Sequence, residues 1–325
     1  MRLFYNELQY PTSPKVNEVF EWFAKNPQEL AFYYDGDGMD LCQAIATKYG
    51  VKKENVRVDN GSDAVLAIIF QTFLVGKVVA IPELSYGLYK TWADYYKVNV
   101  KYIPLLENFD INFQDYRGFD AVLVANPNAQ TGVVKSFDEI KSFVKENKDT
   151  LVIVDEAYIV FSDEQSVASL VGEFENLLVV QTFSKSYGLA NLRVGYVFGC
   201  EKLIEKFKNT QQATIEYPLS QIDQMSALAA IEDTKYFDCI ISKIKQTRKW
   251  FTAQMRELGF GVTDSHANYV LVKCDDAKGL FEYLKKNNIL VRHLEIPIIM
   301  DYLRITIGTD KQMEKVVECV RNYVG

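Results

Sequence analysis

The chain has 325 residues, 48% of them hydrophobic and 24% charged, with a net charge of −7 and an isoelectric point of about 5.1. That supplies apolar material for one large domain or two modest ones, and the acidic balance argues against a general nucleic-acid binder while leaving room for a small anionic ligand. Five scattered cysteines with no C-x-x-C pair, together with only two histidines, offer neither a disulfide framework nor a metal centre. The N-terminus lacks a basic stretch followed by an apolar core, and no apolar run approaches the ~20 residues needed to span a bilayer. A cytoplasmic protein without a membrane partner is expected.

In chain order, Asn60-Gly61-Ser62-Asp63 introduces the apolar helix "AVLAIIFQTFL". Short apolar runs then alternate with amphipathic stretches: "KVVAIPE" (77–83), "VKYIPL" (100–105), "FDAVLVANP" (119–127), "TLVIVDEAY" (150–158), "NLLVVQTFS" (176–184) and "VGYVFG" (194–199). They are rich in Val, Ile and Leu with little polar alternation, the pattern of strands buried on both faces. Between them "SFDEIKSFVKENK" (136–148) opens with Ser136 and Glu139 at capping-box spacing. Strand–helix alternation of this kind predicts a mostly parallel α/β sheet. Residues 201–255 read as mainly helical. The last third repeats a smaller α/β pattern, with strands at 267–274, 289–294 and 302–308. No linker-like segment separates the parts, so two domains, if present, pack together.

Ligands of open parallel sheets sit beyond the carboxyl ends of the strands. The polar residues there are Ser62 and Asp63, Asn128, Asp155 and Tyr158, and Ser184-Lys185, with Arg193 eight positions later. No serine–histidine pair or paired carboxylates suited to hydrolysis are evident. A lysine, an aspartate, a tyrosine and an anion-holding corner suit a phosphorylated cofactor with a carbonyl and a ring nitrogen, namely pyridoxal phosphate. Each residue also has a bland reading: Lys185 as a solvated charge, Asp155 as a helix cap, Tyr158 as core, Arg304 as a solvent-facing strand residue. An isolated carboxylate after "LVIV" is nevertheless costly to bury unless a cation pairs with it.

The ordered series "VDNGSDAV", "LSYGLY", "NPNAQTG", "VIVDEAYIVF", "TFSKSYGLANLRVGY", "ILVRHL" and "YLRITIGT" resembles the motifs of histidinol-phosphate aminotransferases, fold-type-I pyridoxal-phosphate enzymes, over nearly the whole chain. The resemblance implies a large, mostly parallel seven-stranded sheet domain (31–205) and a smaller α/β domain formed by 1–30 and 206–325. It implies Lys185 as the Schiff-base and proton-shuttling lysine, Asp155 on the pyridinium nitrogen, Tyr158 on the ring's 3′ oxygen, and Ala157 and Tyr86 on the two ring faces. Ser62 and Asp63 (through backbone N–H groups), Ser184 and Arg193 would hold the phosphate. Tyr33 would reach the phosphate of the other subunit, making a homodimer with shared sites. Arg304 would clamp the carboxylate of glutamate or 2-oxoglutarate or the phosphate of the other substrate, with Arg292 as a second anion contact and Asn268 nearby.

Three positions depart from the family pattern. Ala129 stands where an asparagine on the 3′ oxygen is usual, followed by Gln130-Thr131-Gly132; Asn128 is the neighbouring amide available in its place. Ala64 follows "GSD" where an acid is common, and the N-terminal "NEN" reads Asn6-Glu7-Leu8. The first expectation is amino transfer between L-histidinol phosphate and 2-oxoglutarate. The competing ones are a threonine-phosphate or serine-phosphate decarboxylase-like lyase, and an aminotransferase for an aromatic or another phosphorylated amine. A regulator with an aminotransferase-like sensor domain, and a purely structural role, are the non-enzymatic alternatives.

Overall fold

The computed structural model describes residues 1–325. Seven strands form the large sheet: β1 (Val56–Asn60), β2 (Val78–Pro82), β3 (Asn99–Ile103), β4 (Ala121–Ala125), β5 (Leu151–Asp155), β6 (Leu177–Thr182) and β7 (Val194–Gly199), in the order β1-β7-β6-β5-β4-β2-β3. All run parallel except β7, which is antiparallel to both β1 and β6. The side chains divide cleanly by face. Val122, Val124, Val152, Val154, Leu177 and Val179 enter one core cluster, whereas Ala121, Leu123, Ile153, Leu178 and Val180 enter another. A strand's period of two delivers alternate residues to opposite faces, so a sheet covered by helices on both sides needs apolar residues at every position.

The smaller sheet is antiparallel and comprises β8 (Gly261–Val262), β9 (Tyr269–Lys273), β10 (Arg292–His293) and β11 (Tyr302–Thr306), in the order β10-β11-β9-β8. Its core cluster draws in Leu3 from the N-terminus and reaches Ala125, Ala129 and Tyr158 on the large sheet's rim. The N-terminal segment is stitched to this sheet by backbone bonds from Leu3 N to Leu290 O (2.7 Å) and from Thr306 N to Leu3 O (3.0 Å). The helix Phe137–Glu146 begins at the expected capping box, with Glu139 N donating to Ser136 Oγ at 3.3 Å and Ser136 N to Glu139 Oε2 at 3.0 Å.

Three expectations need correction. The strand before Asn60 is absent from the sequence-predicted runs, because Arg57 and Asp59 break its apolar character; both are buried and tied by Gln211. The predicted strand 289–294 shrinks to two residues. The division at 30/31 and 205/206 does not follow the packing: Val16, Ala227, Ala230, Ile231 and Phe237 join the large-sheet core, so the helices Pro14–Lys25 and Gln221–Glu232 belong with the large body. No helix is long and apolar enough to cross a membrane.

Candidate active site

Strand register brings the predicted residues to one rim. Ala125 of β4 is paired with Asp155 of β5, and Asp155 with Val180 of β6; Asn60 ends β1 opposite Val194, where β7 begins. Asp155 is buried at the floor of this rim. Its carboxylate accepts the Tyr89 hydroxyl at 2.6 Å and the Ala157 backbone N–H at 3.1 Å, and no cation pairs with it. Burial pushes its pKa up to about 6, against the opposing pull of those two hydrogen bonds. A desolvated anion without a counter-charge is a standing cost. The position calls for a cationic partner.

The chain after β6 turns through the short helix Phe183–Ser186, capped by Thr182, whose side chain accepts Ser184 N at 3.1 Å. Lys185 emerges from this turn, and its Nζ donates to the carbonyl of Tyr5 at 2.8 Å. Arg193 follows in the left-handed region (φ 52°), and its guanidinium donates to Ser184 Oγ (3.3 Å) and Asp63 Oδ2 (3.1 Å). Two glycines make this corner possible. A Cβ on Gly61 would lie 2.6 Å from an Arg193 terminal nitrogen, and one on Gly195 would lie 2.2 Å from Ser62 N. The helix Gly61–Ile69 starts here without a side-chain cap from Asn60, so its first N–H groups and the positive end of its dipole are left for an anion. Asp63 contributes more than its backbone: its carboxylate ties Arg193 and accepts the Tyr86 hydroxyl at 2.9 Å. Tyr86 is thereby held at the same corner, its ring edge-on to Tyr89 with centroids 5.6 Å apart.

The facing wall comes from the small sheet and the N-terminus. Tyr158 is 8% exposed, packs edge-on against Tyr269 (5.2 Å), and accepts the Asn6 side-chain amide at 3.0 Å. Arg304 donates from Nη1 to Gln130 Oε1 (2.7 Å) and Ala129 O (3.1 Å), and from Nη2 to Phe4 O (3.4 Å). Arg292 lies directly opposite Arg304 in the β10–β11 pair. Like charges at opposed positions of an antiparallel pair are destabilising, and no carboxylate pairs with either. A doubly basic face of this kind suits an anionic ligand.

Two expectations are redirected by this geometry. Asn128 does not offer its amide to the rim: its Oδ1 accepts the backbone N–H groups of Gln130 and Thr131 in its own turn, and its Nδ2 donates to Leu84 O at 2.8 Å on a separate segment. Asn268 is buried and donates to Asn6 O at 3.0 Å, supporting the N-terminal segment. Tyr33 lies away from these contacts, 84% exposed and stacked on Tyr217 at 4.6 Å. Sequence reasoning missed Tyr89, Asn6 and Gln130, each of which touches a predicted site residue, and Thr306, which bonds Asn6. For Asn6 and Gln130 a signal existed, since both lie in the motifs that depart from the family pattern.

The residues fit pyridoxal phosphate. The cation-seeking Asp155, the amine of Lys185 and the uncapped helix start beside Arg193 match a ring nitrogen, an aldehyde and a phosphate respectively.

The sequence profile of aminotransferase class I and II matches residues 1–320. The histidinol-phosphate aminotransferase of Brachyspira hyodysenteriae is 36% identical over 328 residues, covering 100% of this chain and 92% of that protein. Among solved structures, the histidinol-phosphate aminotransferase from Clostridium acetobutylicum superposes with a TM-score of 0.91 at 22% identity, covering 100% of this chain and 99% of the other. The L-threonine-O-3-phosphate decarboxylase from Porphyromonas gingivalis does so at 0.84 and 21% identity, with coverage of 100% and 99%. At such identities the two superpositions establish the fold. The profile match across nearly the whole chain, with full-length identity above a third, places this protein in the aminotransferase class I and II family.

Proposed function

We propose that the protein is a pyridoxal-phosphate-dependent aminotransferase that moves the amino group between L-histidinol phosphate and 2-oxoglutarate. The observation carrying the chemistry is Asp155, a buried carboxylate with a pKa pushed up to about 6 and no cation beside it, on the strand next to the one that delivers Lys185. The substrate rests on the full-length likeness to a histidinol-phosphate aminotransferase. When bound, the cofactor supplies an aldehyde that holds the amino group and a ring that takes up electron density from the substrate's Cα.

The chain's own residues do the rest. Lys185 would hold the aldehyde of the bound cofactor and carry a proton at Nζ, and either role would require it to leave the Tyr5 carbonyl. Asp155 keeps the ring nitrogen positively charged, with Tyr89 fixing one carboxylate oxygen and Ala157 N–H the other. Tyr158 would donate a hydrogen bond from its hydroxyl to the ring oxygen. Ala157 and Tyr86 would lie against the two faces of the ring. Ser184, Arg193 and the N–H groups of Ser62 and Asp63 bind the phosphate. Arg304 and Arg292 bind the substrate anion, a carboxylate in one half-reaction and a phosphate in the other; a planar fork accepts both. The reading includes a cytoplasmic homodimer with shared sites, in which Tyr33 reaches the partner's phosphate. The exposed Tyr33 and Phe32, at 84% and 70%, support such a contact.

A half-reaction screen tests the assignment. The yellow protein is mixed in turn with histidinol phosphate, glutamate, aromatic amino acids and threonine phosphate. Loss of the cofactor's visible absorbance with histidinol phosphate and with glutamate, restored by 2-oxoglutarate, is expected. Carbon dioxide release from threonine phosphate would replace this reading with a decarboxylase.

A further inference from the structure

Predicted site residues on both walls converge on three consecutive N-terminal residues: Arg304 on Phe4 O, Lys185 on Tyr5 O and Tyr158 on the Asn6 side chain. Asn6 is the most constrained of the three. It is 1% exposed and adopts φ 57°, a left-handed conformation that asparagine tolerates better than most residues. Its carbonyl accepts Asn268 Nδ2 (3.0 Å), and its backbone N–H donates to Thr306 Oγ1 (3.1 Å). That last bond uses an acceptor site of the threonine hydroxyl, whose proton then goes to Asn6 Oδ1 at 3.2 Å. The amide orientation is therefore set by its neighbours: Oδ1 faces Thr306 and Nδ2 faces Tyr158.

A phenol hydroxyl has one proton to give and two acceptor sites. Asn6 Nδ2 occupies one acceptor site of Tyr158, which leaves the phenol proton to be directed elsewhere. Across the same core cluster stands Ala129, which has no side-chain polar atom to offer. We propose that Asn6 is a positioning residue that holds the Tyr158 hydroxyl from behind and aims its proton at the cofactor ring oxygen, the task for which position 129 carries no amide. The inference rests on the cofactor reading above.

Two substitutions separate the role of the amide from that of the backbone. Asn6→Asp keeps the shape and the left-handed preference but turns the donor into an acceptor, which draws the Tyr158 proton away from the ring. Asn6→Gly keeps the backbone and leaves Tyr158 unheld. Cofactor affinity of the cofactor-free protein is read by fluorescence quenching, and the pH midpoint of the bound cofactor's visible absorbance is read alongside. Asn6→Asp should weaken cofactor binding about tenfold, and Asn6→Gly a few-fold. The midpoint should move upward in both, because an O–H donor at the ring oxygen stabilises the deprotonated form. Tyr158→Phe should reproduce the effect and absorb it, so that adding Asn6→Asp to Tyr158→Phe changes nothing further. A wild-type midpoint and affinity in both Asn6 variants, or effects that multiply in the double variant, would overturn the proposal. Wild-type protein that takes up no cofactor would overturn the functional reading and this inference together, whereas normal uptake with indifferent Asn6 variants sinks this inference alone.

Discussion

The two walls of the site are built in different ways. The large-sheet rim is set by strand register and tight turns, with Asp155 taking Ala157 two residues on and Arg193 taking Ser184 nine residues back, and is then tied across the chain by Arg193 to Asp63 and by Tyr89 to Asp155. The facing wall is assembled almost wholly from distant parts of the chain. Asn6 bonds Thr306 across 300 positions, Arg304 bonds Gln130 across 174, and Lys185 bonds Tyr5 across 180. The rim is thus carried by a sheet buried on both faces, whereas the facing wall rides on a terminal segment and a short antiparallel sheet. Chemistry that needs fixed dipoles is placed on the first. The contact that the proposed function requires to yield, Lys185 to Tyr5, lies across to the second.

Substitutions on the two walls should differ in size. Lys185→Ala should produce the largest loss, with turnover down by about 10⁴-fold or more and cofactor still binding weakly, measured as steady-state rate beside equilibrium dialysis. Asp155→Asn comes next and acts in two directions. Turnover should fall by about 10³-fold, while the cofactor-free protein becomes more stable. Because the folded-state pKa of Asp155 is raised from the ordinary 3.8 to about 6, its contribution to stability is fully present below pH 3.8 and is lost as pH rises through 6. The neutral amide escapes that loss, a gain on the order of 1–3 kcal/mol at pH 7, read from denaturant unfolding at pH 4 and pH 7. An unchanged pH dependence would show that the buried charge is relieved by something other than the cofactor.

On the facing wall, Arg304→Ala should raise KM for 2-oxoglutarate by about 10²-fold, with a smaller change in kcat. Arg304→Lys should recover little of it, since a single ammonium cannot replace the fork held by Gln130. Arg292, which is exposed, should cost about tenfold when changed to Ala. The smallest effect belongs to Tyr89→Phe, which removes one hydrogen bond to Asp155 and should lower turnover a few-fold. If it matched Asp155→Asn, the carboxylate would depend on that phenol rather than on its burial.

The same contrast explains what the sequence makes legible. Apolar runs that feed both faces of the sheet, and polar residues at their carboxyl ends, are local patterns, so the rim residues Asp155, Lys185 and Arg193 can be read directly. Tyr89 cannot, because nothing nearby distinguishes it from the other aromatic residues of its helix until the fold brings its hydroxyl to Asp155. The N-terminal segment carries no periodicity, and its place over the site follows from backbone pairing with Leu290 and Thr306 near the far end of the chain. Asn128 misleads because a small amide beside Ala129 looks like a substitute, whereas its oxygen is bonded within its own turn and its nitrogen to Leu84 O. The helices Pro14–Lys25 and Gln221–Glu232 fall on the wrong side of a boundary drawn along the sequence, since their apolar faces, not their position, decide which sheet they cover.

The most direct test of the account is the chemical state of one nitrogen. Protein saturated with pyridoxal phosphate is reduced with borohydride, digested and examined by mass spectrometry. The cofactor's mass is expected on the peptide carrying Lys185 and on no peptide of Lys185→Ala. Recovery of that peptide unmodified, with the cofactor on another lysine or on none, would contradict it.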